Sequence, residues 1–269
     1  MAYAIVKYNA RLWIKHQGRL IAGYNTTDLR SYVFPLYTPQ GLLVIQEAPP
    51  DHPHHQGIWA GLELDGNDVW NAGSRNLPRH RQEAVEPLHD MTTTVTDTGV
   101  QIEHDVRWIT VDGAELLHEQ RTVGFRATEQ FTLVEWQSIF SHPNKATHIG
   151  QTKESGIGVR VPPHWETRFG GQIRNANGAV GEQGCFDQAS PWLNVEGQAV
   201  GDGIAGLVLI PTSETCPWFT RDYGIHLYNP ARHHAIALAA GEQVAWSMRV
   251  LAYDGTRTID QINAMVALI

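Results

Sequence analysis

Apolar and polar residues alternate over short runs from one end of the chain to the other, and Gly, Asn and Asp punctuate the runs. That period of two, with turn residues between runs, predicts antiparallel strands that pair with their sequence neighbours. Strands are expected over residues 4–8, 10–15, 19–22, 42–46, 92–96, 101–110, 115–125, 129–141, 156–161, 204–210, 224–228, 234–238 and 244–253. Gln17-Gly18, Asp97-Thr98-Gly99 and Asp112-Gly113 supply hairpin chemistry, since Gly accepts positive φ and Asp supports a turn locally. Residues 129–141 carry apolar side chains on both faces, as a long strand covered on both sides would, and this favours a large sandwich over a simple meander. One stretch has a helical period. Thr258 and Gln261 have capping-box spacing, and Ile259, Ile262, Met265, Val266 and Ile269 recur at helical intervals.

The expected fold class is therefore all-β, a single large antiparallel β-sandwich domain over residues 1–269 closed by a C-terminal helix. Residues 71–90 and 175–202, rich in Gly, Asn, Gln and Pro, are expected to be long loops that line a cleft.

Composition narrows the function classes. At 269 residues, with 42% hydrophobic and 18% charged residues, the chain has the make-up of a globular protein with a sizeable core. A formal net charge of −8 and no clustered basic patch exclude a nucleic-acid partner. No stretch approaches the roughly 20 apolar residues that cross a bilayer, so no membrane partner is expected. The N-terminal residues lack a signal-peptide core, which predicts a cytoplasmic protein with Cys185 and Cys216 as reduced thiols. A homo-oligomer is compatible with all of this.

The densest chemistry lies in Asp51-His52-Pro53-His54-His55, where three imidazoles and a carboxylate fall beside prolines that forbid a regular helix. Imidazoles titrate near neutral pH and ligate metals when neutral, so the cluster suits proton transfer or coordination. In an extended segment His52 and His54 would face one way and His55 the other. A divalent metal on His52, His54 and His55 is one alternative, although no H-E-x-x-H or Cys pair supplies further ligands, and a polar knot capping loop backbone is the bland one. No cofactor is required.

Other segments add candidate partners. Asp68 and Trp70 end a predicted hairpin, and with Trp59 they offer the carboxylate and indole surfaces that sugar sites use. Lys153-Glu154 joins a loop to a strand, where Lys153 could polarise a carbonyl and Glu154 exchange protons, against a solvated strand edge as the plain alternative. Arg221-Asp222 precedes another strand and serves either as a hydroxyl-orienting pair or as a structural ion pair. No G-x-S-x-G, Walker loop or G-x-G-x-x-G is present, which disfavours serine hydrolases, nucleotide triphosphatases and dinucleotide dehydrogenases.

Taken together, Phe34-Pro35-Leu36-Tyr37-Thr38-Pro39-Gln40-Gly41, Asp51-His52-Pro53-His54-His55-Gln56-Gly57, the hairpin ending in Trp70, Leu117-His118-Glu119-Gln120-Arg121-Thr122, Lys153-Glu154-Ser155-Gly156 and Arg221-Asp222-Tyr223-Gly224 resemble the bacterial PmoA-like family, whose members carry the automatic label methane oxygenase. The family pattern has Arg where this chain has Gln56 and Gly where it has Ser155. A membrane methane monooxygenase subunit needs spanning helices, which this sequence lacks. The resemblance implies instead a β-supersandwich similar to galactose-mutarotase-like proteins and a role in carbohydrate metabolism.

The resulting expectation is a carbohydrate-active enzyme, a lyase or isomerase, that moves protons on a small-molecule sugar. Its reaction would be elimination or hydration of a keto-glycoside, or epimerisation or mutarotation. His54 and His55 are expected as base or acid, with Lys153 and Glu154 as their catalytic partners. His52, Trp59, Asp68, Trp70, Arg221 and Asp222 are expected as substrate contacts. The alternatives are a non-catalytic sugar-binding or regulatory module and a metal-dependent hydrolase or oxygenase built on the three histidines.

Overall fold

Two large antiparallel sheets face each other, and each is apolar toward the other. The structure is a computed structural model that describes residues 2–26, 30–71, 91–110, 112–201 and 203–269, and the backbone of 81–84. One sheet has eight strands in the spatial order Tyr3–Tyr8, Arg11–His16, Arg19–Thr26, Ser31–Leu36, Ile58–Gly61, Gly156–Arg160, Ile225–Tyr228 and Trp218–Thr220. The other has nine strands. Its central members are Ile204–Pro211, Gln243–Asp254, Thr132–Ser141, Glu115–Ala127 and Val100–Ile109, paired in that order. A small four-stranded sheet contains Glu63–Leu64, Asn67–Asp68, Thr147–Ile149 and Ile236–Leu238. The expected all-β sandwich with a C-terminal helix is what forms. No helix among the described residues is long and apolar enough to cross a membrane.

Alternation sorts the side chains into layers. Leu207, Leu209, Val250, Ala252 and Val134 point into the main core between the sheets, where they meet Val33, Ile58, Ala60, Ile157, Val159 and Trp218. Their neighbours Val208, Ile210, Leu251, Tyr253 and Leu133 point the other way, onto Ile262 and Met265 of the C-terminal helix Ile259–Val266. That helix begins with the expected capping box, with the Thr258 hydroxyl accepting from the Gln261 amide and the Gln261 side chain accepting from the Thr258 amide. A third cluster, Tyr32, Trp59, Trp70, Phe219, Ile225 and Leu227, covers the outer face of the eight-stranded sheet.

A charged bridge crosses the main core. Arg121 and Glu119, both with fully buried side chains, form a bidentate pair with two contacts of 2.7 Å. Glu119 also accepts from the Trp108 indole at 2.9 Å and from the Ser138 hydroxyl. Arg121 reaches the opposite sheet, donating to the Ser31 carbonyl at 3.1 Å and to the Tyr24 hydroxyl at 3.4 Å. Its guanidinium also lies over the Trp136 ring, 4.5 Å from the centroid. The Tyr24 hydroxyl and His104 Nε2 are 2.6 Å apart. A buried ion pair is tolerated when most of its remaining hydrogen-bonding capacity is filled, and here three side chains and one carbonyl do that.

Three expectations are corrected. Residues 42–46 make no ladder, and Leu43 forms only an isolated bridge to Tyr37. The span 175–202 is not a long loop, because it contains the helix Gly181–Cys185 and the strand Leu193–Gln198. Within 71–90 the strand Arg81–Ala84 pairs with Val100–Ile109, while 72–80 and 85–90 lie outside the described residues.

Truncating Ile262 to Ala removes a fully buried side chain from the helix–sheet seam and is expected to cost about 2–5 kcal/mol in urea unfolding. Thr258→Ala, which removes one cap, is expected to cost only about 1 kcal/mol. Glu119→Leu leaves Arg121 charged and unpaired in the core, and is expected to cost about 3–5 kcal/mol in the same measurement.

Candidate functional site

The histidine segment is a curled loop and not an extended one, and that decides where its rings go. Gly57 N–H donates to Gln46 O at 2.9 Å and Ala48 N–H to His55 O at 2.8 Å, pinching the loop shut at its base. Within it, His52 N–H donates to Pro49 O at 3.1 Å and His55 N–H to His52 O at 2.9 Å, giving two consecutive tight turns. The turns cancel the alternation expected from the sequence and bring all three imidazoles together. Gly57 is needed where the loop rejoins the sheet, since a Cβ there, at φ +64°, would lie 2.0 Å from Val33 O.

The rings form a column descending from the surface to the eight-stranded sheet. Tyr223 lies over His52 (centroids 5.0 Å apart, 5° between planes), His52 over His55 (4.7 Å, 7°) and His55 over Trp59 (5.2 Å, 27°). His54 meets His55 edge-on at 4.5 Å. Trp59 and Trp70 close the bottom at 5.1 Å, and both lie against glycines. A Cβ on Gly61 would strike the Trp70 ring at 2.4 Å, and one on Gly158 would crowd Trp59 at 3.2 Å.

Arg160, at the end of the strand Gly156–Arg160, ties the column to the sheet and is 1% exposed. Its Nη1 lies 3.2 Å from His55 Nδ1, and its Nη2 donates to both Asp51 oxygens at 3.3 and 3.1 Å. Glu166 stands 3.7 Å from the same nitrogen and is itself held by Arg168 at 2.7 Å. The guanidinium also lies 5.4 Å from the centre of the Tyr223 ring. A guanidinium only donates, so His55 Nδ1 must accept, and His55 is the neutral tautomer with its proton on Nε2. Arg30 anchors the loop from below, donating to His54 O at 3.0 Å and to Trp70 O at 2.8 Å.

Electrostatics separate the three imidazoles. Burial, reinforced by Arg30 and His52, lowers His54 to about 4. Burial, with His54 and Arg160 beside it, drives His55 far below the ordinary value. Both are neutral at pH 7. His52 stays about one-third exposed, with its Nδ1 2.8 Å from Asp51 Oδ2, and in the tautomer that donates to this carboxylate Nε2 is the acceptor. Partial burial would raise Asp51, but the His52 hydrogen bond and Arg160 prevail and hold it below the usual carboxylate range. Burial and the nearby Glu154 charge raise the Tyr223 phenol, which therefore keeps its proton.

Several expected roles change. Trp59 and Trp70, 0% and 3% exposed, are the floor under the histidines and are not reachable contacts. The Asp68 carboxylate accepts from the Trp70 and Asn71 amides at 2.9 and 3.1 Å and caps the turn. Arg221 pairs with Glu182 at 2.8 Å and Asp222 N–H donates to the same carboxylate at 2.7 Å, so this dipeptide fixes the turn that presents Tyr223. Lys153 is solvent-facing and pairs with Glu154 at 3.5 Å, and only Glu154 is felt at Tyr223. Arg160 and Glu166 were not singled out from the sequence, and Asp51 and Tyr223 figured there only within their motifs, without a role of their own. A lone Arg in the apolar run Gly156-Ile157-Gly158-Val159-Arg160-Val161 is the signal that could have found the anchor.

His52 and His55 stack face to face and His54 packs edge-on against both. Among the described residues, no group of three or more His, Cys, Asp or Glu side chains is arranged to hold a metal ion. The donor set does not fit the divalent metal considered above.

A family model matches residues 11–267. The chain belongs to DUF6807, a family of unknown function. That description names neither PmoA nor a methane oxygenase. No curated protein matches this DUF6807 chain. Among solved structures it is similar to a candidate aldose 1-epimerase from Escherichia coli K12, at 10% identity over 94% of this chain and 99% of that one, with a TM-score of 0.36. It is also similar to a galactose mutarotase related enzyme from Lactobacillus acidophilus, at 7% identity over 95% and 98% of the two chains, again with a TM-score of 0.36.

The DUF6807 chain buries further neutral imidazoles away from the column, and these set an acid limit to its stability. His226 is fully buried and lowered to about 3 by desolvation and by Arg160. A histidine depressed in the folded state contributes its full stability above its ordinary value of 6.5 and loses it as pH falls toward the folded value. The unfolding free energy is therefore expected to drop below about pH 6.5. His226→Gln is expected to flatten that slope by about 1.4 kcal/mol per pH unit in urea titrations at stepped pH.

Proposed function

We propose that this chain is a carbohydrate-active enzyme that moves protons on a sugar, with the Asp51–His52 dyad as base and Tyr223 as the neighbouring acid. The observation that carries this reading is the dyad. Asp51 holds the proton of His52 on Nδ1, so the lone pair on Nε2 is offered where the ring reaches solvent. Tyr223, parallel to His52 at 5.0 Å, retains a phenolic proton to give back. A positioned base and acid of this kind supply about 10²–10⁴-fold of rate.

Mutarotation or epimerisation fits this pair better than elimination from a keto-glycoside. In mutarotation, His52 takes the proton of the anomeric hydroxyl while Tyr223 protonates the ring oxygen, and the C–O bond opens and recloses on the other face. Elimination beside a ketone calls for a cation to stabilise the enolate. Lys153, the cation expected in that role, is exposed and turned to Glu154. The choice of a sugar as substrate rests on hydroxyl-bearing chemistry suited to a weak base and a phenol.

A second reading, a non-catalytic sugar-binding module, is favoured by the parallel ring faces of Tyr223 and His52, 5.0 Å apart near the surface. Relaxation of freshly dissolved aldoses, followed by polarimetry and by NMR exchange, separates the two. Wild-type protein is expected to accelerate relaxation of at least one aldose, and His52→Asn is expected to lose about 10²–10⁴-fold of it with the fold intact. Full acceleration in His52→Asn would remove the dyad from the reaction. Binding without acceleration in the wild type would leave the module.

A further inference from the structure

Among the described residues no hydrogen bond reaches the Tyr223 hydroxyl. The ring is placed by its stacking on His52, by the Arg160 guanidinium and by the backbone that carries it. That backbone is the tip of a hairpin, Arg221-Asp222-Tyr223-Gly224, between the strands Trp218–Thr220 and Ile225–Tyr228. Arg221 N–H donates to Ile225 O and Gly224 N–H to Arg221 O, both at 3.0 Å, and Gly224 takes a φ of +91°. These bonds close the turn without fixing how it leans toward the histidines.

The lean is set from outside the hairpin, chiefly by one side chain. Glu182, on the short helix Gly181–Cys185, takes Asp222 N–H on Oε2 at 2.7 Å and the Arg221 guanidinium on Oε1 at 2.8 Å. One carboxylate grips both residues that precede Tyr223, through charge-assisted bonds that are short and directional. Thr167 N–H adds a single bond to Asp222 O at 3.1 Å. The same segment supplies a second carboxylate to a different turn. Asp187 accepts from Arg232 Nε at 3.0 Å and lies 3.1 Å from His233 Nε2. Phe186 packs against both cations, its centroid 5.3 Å from the Arg221 guanidinium and 5.1 Å from that of Arg232. Each carboxylate therefore holds its own turn, and the turn held by Glu182 is the one that carries Tyr223.

We propose that Glu182 is a positioning residue for the acid, keeping the Tyr223 phenol parallel to His52 through its grip on Arg221 and Asp222. The role rests on the reading of Tyr223 as the acid. It makes the reaction depend on a carboxylate that belongs to neither the base nor the acid. A reacting group misplaced by about 1 Å loses about 10²-fold of rate. Loss of the brace is therefore read in turnover more than in substrate affinity.

NMR of the tyrosine rings of the full chain, with Tyr223 assigned through Tyr223→Phe, reads the geometry without any substrate. The wild type is expected to show a ring-to-ring NOE between Tyr223 and His52. Glu182→Ala is expected to weaken it at least about fivefold while the amide spectrum of the sheet strands is unchanged, the strength expected when the rings part by about 1 Å or more. Glu182→Gln keeps an acceptor for the Asp222 amide and is expected to fall between the two. Asp187→Asn is expected to leave the NOE as it is. On an aldose that the wild type accelerates, Glu182→Ala is expected to lower kcat about 10- to 100-fold with KM nearly unaltered. In a Tyr223→Phe background it is expected to cost nothing further, because it acts through that ring. Should no aldose be accelerated, the proposed reaction falls and the NOE decides the role of Glu182. An NOE absent from the wild type or undiminished in either Glu182 variant overturns the proposal, as do an equal loss in Asp187→Asn or additive losses in the double variant.

Discussion

A buried guanidinium organises the site. Arg160 ends a strand whose other side chains are glycines or point into the apolar core, and at 1% exposure its charge has to be matched by protein. The matching comes from elements far apart in sequence: Asp51 and His55 from the curled loop, Glu166 from the segment after the strand, and the ring face of Tyr223 from the turn before Ile225–Tyr228. Each of these groups thereby gains a fixed position. The loop curls over the sheet because its carboxylate and one imidazole are drawn to a cation that cannot itself reach solvent.

A second cation carries the same logic into the interior. Arg30, buried beneath the loop and lowered to about 10 by desolvation and the field of Arg121, holds the carbonyls of His54 and Trp70. The next residue, Ser31, gives its carbonyl to Arg121, whose partner is Glu119 at the centre of the sandwich. A chain of backbone carbonyls and guanidinium groups thus links the core ion pair to the histidine loop through the adjacent residues Arg30 and Ser31. Rotating the loop would break bonds to Arg30 as well as Arg160, and two buried charges would lose their partners together.

The architecture was legible because alternation is a local property. The period of two marked most of the long strands of the nine-stranded sheet, and the Thr258 and Gln261 spacing marked the terminal helix. Ser31–Leu36 and Ile58–Gly61 escaped notice because they are buried on both faces and do not alternate. The histidine motif was legible as a place but not as a mechanism. Nothing in Asp51-His52-Pro53-His54-His55 reveals two consecutive turns, and the turns decide which ring is outermost. Tyr223 lay inside a quoted motif whose charged members drew attention, yet those members hold Glu182 and only the phenol meets the rings.

Depth along the ring column, more than the number of imidazoles, sets the chemistry available. Desolvation penalises the charged form of a histidine, and it lowers His54 and, further, His55 where water is replaced by rings and guanidinium groups. The inner two are held neutral by the same contacts that build the site, so they serve as packing surfaces and hydrogen-bonding dipoles. A counter-charge and water are both at hand at His52, beside Asp51 and at the rim. Three histidines within four residues of a sequence suggest a metal or a relay, but here two stack face to face over a tryptophan, the third meets them edge-on, and only His52 is left at the rim beside a carboxylate.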